Sequence, residues 1–233
     1  MLSHLAAASV PAVARLTVTT DPGAEVRPGS IVIANHTSLA DPAIVLAALH
    51  GRGIRPVVLA TAGLWRIPLL GAALTREGFV PVRRGGPRAA EALDGAAAAL
   101  AAGRPVLLYP EGGLPVRDDS GEAAPGPFRS GLWRLATSTG APVVPLGQAG
   151  ARRLLSGGPA KHAAGLLTAP VRRPALHVHI GAPLHLEGAR AAATQRAHRA
   201  LTAAWRTAVE HVDGRDRAPA PTGHPGSFRQ TSV

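Results

Sequence analysis

Ile31-Val32-Ile33-Ala34-Asn35-His36-Thr37-Ser38-Leu39-Ala40-Asp41-Pro42 is the stretch whose reading decides the fold of this chain. An apolar, β-branched run stops at a polar corner that holds His36. Four residues then separate His36 from Asp41, and Pro42 suits the first turn of a helix. The pattern reads as strand, loop, helix, with an imidazole and a carboxylate on the loop at the carboxyl end of the strand. In open α/β sheets that edge is where ligands bind. Asp41, so placed, orients the imidazole and stabilises its protonated form while His36 takes a proton from a substrate hydroxyl.

Spacing alone does not carry this reading, and the chain contains its own control. His211 and Asp216 repeat the same H-x4-D spacing where a helical pattern runs into a Gly/Pro-rich end. That pair reads as a helix C-terminus with solvated charges, because no buried strand leads into it.

The 233 residues suit one domain with a substantial core. Apolar residues make up 46% and aromatics only 3%, so the core relies on close approach of Ala, Val and Leu. There is no cysteine, which excludes a disulfide framework, a thiolate nucleophile and a Cys-type zinc site. The formal charge of +11 rests almost wholly on arginine, Lys161 being the one lysine. Guanidinium groups suit phosphate and carboxylate partners, so anionic lipid headgroups and phosphorylated substrates fit this surface. Nucleic acid is not expected: no binding module is recognisable, and one Tyr and three Phe offer few stacking platforms. No apolar segment reaches the roughly 18–20 residues of a membrane span. Leu5 to Val13 is short, contains Pro11 and lacks a basic flank, which makes it a poor signal peptide. The expected location is therefore cytoplasmic, peripheral on the inner face of a membrane.

Strands are expected at Arg15 to Thr20, Ile31 to Ala34, Pro56 to Ala60, Phe79 to Val82, Val106 to Tyr109, Pro142 to Leu146 and Ala175 to Ile180. Helices are expected from Pro42 to His50, Pro87 to Ala102, Phe128 to Thr139 and Glu187 to His211. Short strands alternating with helices make an α/β fold with a mostly parallel central sheet flanked by helices. Residues 1–212 form the domain, and the Pro/Gly/Arg-rich residues 213–233 read as a disordered tail.

Two further strand ends carry chemistry. Gly78-Phe79-Val80-Pro81-Val82-Arg83-Arg84 closes on two arginines. Tyr109-Pro110-Glu111-Gly112-Gly113 puts a carboxylate at a strand end before two glycines, which let backbone amides approach a ligand. His/Asp, Arg/Arg and Glu/Gly/Gly are thus expected at one edge of one sheet. His177 and His179 share a strand face but lack a third ligand nearby in sequence, and read as structural or exposed. Trp65, Ile67, Leu69 and Leu70 read equally as an interfacial patch or as ordinary core.

These blocks, in this order over residues 30–185, resemble the PlsC-type glycerolipid acyltransferases, the family that includes 1-acylglycerol-3-phosphate acyltransferase. Asn35 to Asp41 is similar to that family's NHxSxxD box, and Gly78 to Arg84 to its second block. Tyr109 to Gly113 is similar to its (F/Y)PEGT box, and Val144-Pro145-Leu146 to its fourth block, with Phe128-Arg129-Ser130-Gly131 resembling the approach to it. The resemblance implies a PlsC-like single domain and transfer of an acyl chain from an acyl thioester to a lysophospholipid hydroxyl, as in phospholipid biosynthesis. It implies His36 and Asp41 as catalytic residues, and Arg84, Glu111, Gly112 and Gly113 as substrate-binding residues. Acyl-CoA or acyl carrier protein would be the co-substrate, with no separate cofactor, no metal and an anionic membrane surface as partner. Backbone amides near the His36 loop or at Gly112 and Gly113 are the expected oxyanion donors. Ser38, so close to the base, reads as a loop-capping hydroxyl.

The chain departs from the family pattern at the acceptor end. Gly113 stands where a threonine is usual, Leu114 where an arginine commonly follows, and Arg83 where an acidic residue precedes Arg84. Arg117 and Arg129 are the candidates to supply the missing charge. Other acceptors therefore stay open, a lyso-ornithine lipid, a glycolipid or lipid-to-lipid transacylation among them, as does a catalytically inactive membrane-binding relative.

Overall fold

The chain runs through α1 (Leu2–Val13), β1 (Arg15–Thr20), β2 (Ile31–Ala34), α2 (Asp41–His50), β3 (Val57–Thr61), α3 (Pro68–Arg76) and β4 (Val80–Val82). It continues through α4 (Ala89–Ala101), β5 (Val106–Leu108), α5 (Gly131–Thr139), β6 (Val143–Ala149), α6 (Pro159–Arg172), β7 (Ala175–Ile180) and α7 (Arg190–Arg217). Short 3₁₀ turns at Ala62–Arg66 and Ala151–Arg153 precede α3 and α6. This is a computed structural model, and it describes residues 1–83, 89–114, 121–156 and 159–217.

Among the described residues, seven strands form one sheet in the order β1-β7-β6-β2-β5-β3-β4. The five strands from β6 to β4 are mutually parallel. β7 runs antiparallel to β6, and β1 pairs parallel with β7 at the edge. β2, β5 and β6 are buried along their whole length, as parallel strands covered on both faces must be. Successive side chains alternate between two layers. Val32, Ala34, Leu107 and Val144 face α1, α2, α3 and α6, whereas Ile31, Ile33, Val106 and Val143 face α4, α5 and α7. No helix of the described residues is long and apolar enough to cross a membrane.

The poverty in aromatics has a structural counterpart in α7. Its buried stripe is Ala193, Ala197, Leu201, Ala204, Ala208 and Val212, at helical spacing and mostly alanine. Opposite it, a Cβ on Gly147 of β6 would sit 2.1 Å from the carbonyl carbon of Ala204. Helix and strand therefore meet backbone to backbone.

Where the fold differs from the sequence reading, tertiary contacts account for it. β6 runs three residues past Leu146 because Gly147, Gln148 and Ala149 pair with β7. α5 starts at Gly131 rather than Phe128 because the Arg129 amide bonds the Pro110 carbonyl at 2.8 Å, which keeps that segment extended. α7 continues beyond His211 to Arg217, so residues 213–217 belong to a helix and not to a tail; residues 218–233 lie outside the described residues. α1, α3 and α6 were not expected as helices. The first turn of α1 is tied to the end of α3, since Glu77 pairs with the Met1 amine and accepts the Leu2 amide.

Gly147→Ala is expected to destabilise the protein by about 3 kcal/mol, because α7 must move off the sheet. Gly140→Ala, at the left-handed C-cap of α5 with open space around it, should cost only about 1 kcal/mol. Chemical denaturation of the two variants checks the ranking, and equal losses would contradict the close approach.

Candidate active site

β2 lies between β5 and β6, and their carboxyl ends bring three sequence blocks together. Asn35 decides how the chain leaves the sheet. Its side chain takes the place of a backbone rung: Oδ1 accepts from the Gln148 amide at 2.8 Å and Nδ2 donates to the Gln148 carbonyl at 3.1 Å. Gln148 Nε2 in turn donates to the Asn35 carbonyl at 3.0 Å. Both residues are buried, so β2 can stop while β6 goes on without orphaning backbone groups.

The chain then turns around one carboxylate oxygen. Asp41 Oδ2 accepts from His36 Nδ1 at 2.9 Å, from the Thr37 amide at 2.5 Å and from the Ser38 amide at 2.8 Å. Asp41 is the first residue of α2, where the helix N-terminus favours negative charge. Its side chain has no exposure while that of His36 keeps 16%, so the pair has a dry end and a wet end. Burial pushes the Asp41 carboxyl above its usual range, opposed by the bonds from His36, Ser38 and Thr37. With two amides already pointing at Oδ2, His36 fits there only as an Nδ1–H donor, which leaves the Nε2 lone pair for a substrate. Tyr109 stacks on the imidazole with centroids 4.3 Å apart and planes at 28°. Burial, and then the charge of Asp41, hold its phenol well above the usual value, so it stays protonated.

Ser38 does not face the base as a nucleophile. Its hydroxyl donates to the Leu155 carbonyl at 2.7 Å and accepts the Ala40 amide at 3.2 Å, a loop-capping arrangement.

Glu111 spans two segments. Oε1 accepts the His36 amide at 2.9 Å and Oε2 accepts the Gly126 amide at 2.8 Å. The carboxylate thus braces the His36 loop from the end of β5. Gly112 has φ +76°, and a Cβ there would lie 2.9 Å from Arg129 Cγ, so the stem of Arg129 crosses directly over it. Arg129 is exposed and joined to the same strand end through the Pro110 carbonyl. Arg83 closes β4 in a surface pair with Glu91 at 3.6 Å. Arg84 and Arg117 lie outside the described residues.

A buried arginine and a half-buried glutamate complete the loop, and neither belongs to a motif of the sequence. Arg152 Nη1 donates to the Thr37 carbonyl at 3.0 Å from an almost fully buried position. Glu122 accepts the Gly150 amide at 2.7 Å; burial raises its carboxyl above the usual range, and the nearby charge of Asp41 adds to that rise. One signal was available: Arg152 and Arg153 follow an apolar strand just as Arg83 and Arg84 do.

The other singled-out residues lie elsewhere. His177 and His179 are buried in a side-chain ladder between β1 and β7. Thr17 meets His177 Nδ1 at 2.7 Å, and Thr19 bridges His177 Nε2 at 2.9 Å and His179 Nδ1 at 2.8 Å. His179 Nε2 ends the ladder on Asp21 at 3.0 Å. His211 stacks on His177 with centroids 4.2 Å apart, and its Nδ1 bonds the Thr207 carbonyl one turn back in α7. Ile67 and Leu69 are exposed, whereas Trp65 and Leu70 are half-buried.

Comparison with known proteins bears on this geometry. The family model described as Acyltransferase matches residues 15–148, which contain the His36 loop, Glu111 and all but the last residue of β6. The chain is 30% identical over 129 residues to the chloroplastic 1-acyl-sn-glycerol-3-phosphate acyltransferase BAT2 of Brassica napus, a match covering 55% of this chain and 35% of that protein. It is 29% identical over 130 residues to the chloroplastic 1-acyl-sn-glycerol-3-phosphate acyltransferase LPAT1 of Arabidopsis thaliana, covering 55% of this chain and 34% of that one. The matched part is thus about a third of the length of these curated relatives. The crystal structure of the 1-acyl-sn-glycerophosphate (LPA) acyltransferase PlsC from Thermotoga maritima aligns with a TM-score of 0.66 over 94% of this chain and 80% of that one. At 17% identity that likeness speaks for the fold, a mostly parallel α/β sheet flanked by helices. On the family match, which spans more than half of its residues, this chain belongs to the acyltransferase family.

Proposed function

We propose that the protein transfers an acyl chain from an acyl thioester to the hydroxyl of a lysophospholipid of the 1-acylglycerol-3-phosphate kind, with His36 as general base. The observation that carries this reading is the convergence of His36 Nδ1 and two loop amides on the buried Oδ2 of Asp41. It locks one tautomer and leaves Nε2 to receive a proton. The acceptor oxygen, losing its proton to Nε2, forms a bond to the thioester carbonyl carbon. Collapse of the tetrahedral intermediate breaks the C–S bond, and the imidazolium returns the proton to the departing thiolate. The donor is acyl-CoA or an acylated carrier protein, and the step requires neither a metal nor a further cofactor.

Of the loop amides considered for the oxyanion, those of His36, Thr37, Ser38 and Ala40 bond to side chains, and Gly112 donates to the Tyr109 carbonyl. Those of Leu39 and Gly113 remain to meet the developing charge. Arg129, crossing Gly112, supplies the cation for the acceptor's phosphate that Leu114 cannot, together with Arg84 as the resemblance implies. The names of the two plant relatives support this acceptor class. The enzyme would meet its lipid acceptor as a peripheral protein on a cytoplasmic membrane face, in phospholipid biosynthesis.

The test is transfer by purified protein from long-chain acyl-CoA, and then from acyl carrier protein, to a panel of lysolipids in mixed micelles. Product on lysophosphatidate is expected, with His36→Ala lowering kcat by about 100- to 10,000-fold. Product on another lysolipid alone would reassign the acceptor; no product from either donor would leave an inactive, membrane-binding relative. Arg129→Gln should raise KM for lysophosphatidate about tenfold, the lower end for an exposed charge-assisted contact, and spare acceptors without a phosphate.

Asp41→Asn should lose activity to a similar degree as His36→Ala, yet melt no lower than the wild type at neutral pH. Burial raises the Asp41 pKa, so ionising it costs folding free energy as pH climbs out of the carboxylate range. The stability gap in favour of Asn should therefore close as pH falls through that range. Thermal melts across pH check the sign, and a lower melting temperature for the variant at pH 7 would contradict it.

A further inference from the structure

Helix α6 is built with its polarity inverted. Its inward positions are small: Ala169 is fully buried, and a Cβ on Gly165 would sit 2.2 Å from the Leu154 carbonyl oxygen. Its largest apolar side chains point out, Leu167 being 80% and Val171 89% exposed, with Leu166 beside them. A helix covering a sheet ordinarily turns its apolar stripe inward and its polar residues to water. An outward apolar face on a stable helix marks an interaction surface.

The feature is not confined to α6. Every large apolar side chain exposed among the described residues belongs to one layer of the molecule. Besides those of α6, they are Met1 and Leu5 at α1, Leu39 before α2, and Ile67 and Leu69 at the start of α3. The layer is continuous: Glu77 after α3 holds the start of α1, and Arg173 after α6 donates to the Pro11 carbonyl of α1 at 2.8 Å. None comes from α4, α5 or α7 on the other side of the sheet.

Charge follows the same division. In the stretches that build this layer (residues 1–14, 36–55, 62–79 and 151–173), the acidic residues are Asp41, which is buried, and Glu77, which is paired with the chain's amine. Arg52, Arg55, Arg66, Arg76, Arg172 and Arg173 are all exposed there. The opposite layer mixes signs, with Glu91, Asp94 and Glu210 among its arginines. Apolar side chains rimmed by cations match an anionic phospholipid surface, where the apolar groups enter the acyl boundary and the guanidinium groups meet the headgroups.

The face also borders the site. Leu39, 62% exposed, is three residues past His36. The Ser38 hydroxyl ties the catalytic loop to Leu155, four residues before α6 begins. We propose that the outward face of α6, together with Leu39 and the Ile67–Leu69 turn, docks on an anionic phospholipid bilayer and sets the His36 site at its surface. This rests on the proposed lipid acceptor, and names the surface from which that acceptor is drawn.

The experiment is flotation of the full chain with phosphatidylcholine vesicles, with and without phosphatidylglycerol. The wild type should bind the anionic vesicles. Leu167→Asp/Val171→Asp should weaken that binding at least about tenfold, while Ala203→Asp, exposed on α7, should leave it unchanged. Both changes on α6 are at exposed positions, and circular dichroism verifies the fold. Transfer to a short-chain acceptor kept below its micelle concentration should survive the double substitution. Undiminished binding by the α6 variant, or equal loss in the α7 variant, would overturn the docking face. So would a wild-type dimer that the α6 substitutions convert to monomer without affecting vesicle binding, since the face would then belong to a second copy. Vesicle binding requires no turnover. Its loss on the α6 substitutions therefore supports the docking face even if no lysolipid is acylated, an outcome that would instead remove the proposed function.

Discussion

A carboxylate with no exposure to water, placed at the start of a helix, is the constraint around which the rest of the site is arranged. Burying Asp41 is unfavourable unless donors replace the water it gives up. Thr37, Ser38 and His36 supply them, and to do so the chain must wrap tightly between β2 and α2. That wrapping exposes the loop's other polar groups to the interior. Arg152 takes the Thr37 carbonyl, Glu111 the His36 amide, and the Leu155 carbonyl the Ser38 hydroxyl. One buried charge thus recruits partners from β5, from the turn after β6 and from the approach to α6. The imidazole is held by this network and by the Tyr109 ring beneath it, leaving one nitrogen for chemistry.

The sheet serves the same end by economical packing. With few aromatics, the core gains density from alanine and glycine, as where Gly147 meets Ala204. Close-set layers hold β2, β5 and β6 in a fixed register, and register places His36, Glu111 and Gln148 at one level. Asn35 is the hinge of the arrangement. By imitating a backbone rung toward Gln148 it lets β2 end three residues short of β6 without cost in unpaired amides.

What could be read from the sequence follows from where the information is local. The central strands announce themselves as β-branched runs, and the His36 block combines strand, loop and helix signals within twelve residues. β7 coincides with its expected limits. Two of the three helices without a sequence signal have a proline in their interior: α6 turns its leucines outward and contains Pro170, and α1 contains Pro11 and is anchored by a glutamate 75 positions away. Periodicity assumes that apolar means inward, which α6 violates. In the site, His36 and Asp41 were legible because they sit on one loop. Glu111 was legible as a residue of interest, but its two amide partners were not, since they depend on the juxtaposition of β2 and residues 121–130. Arg152 reaches Thr37 across 115 positions, and no spacing rule connects them.

In the proposed reaction the acyl group passes directly from thioester to acceptor hydroxyl through His36, with Ser38 committed to the fold. That route is tested most directly by following thiol release from acyl-CoA in a single turnover, with and without acceptor, alongside mass spectrometry of the protein. The chain has no cysteine, so every thiol detected comes from the donor. Direct transfer gives release only when acceptor is present, and an unmodified protein mass throughout. A stoichiometric burst of thiol without acceptor, with the acyl mass found on Ser38, would contradict it.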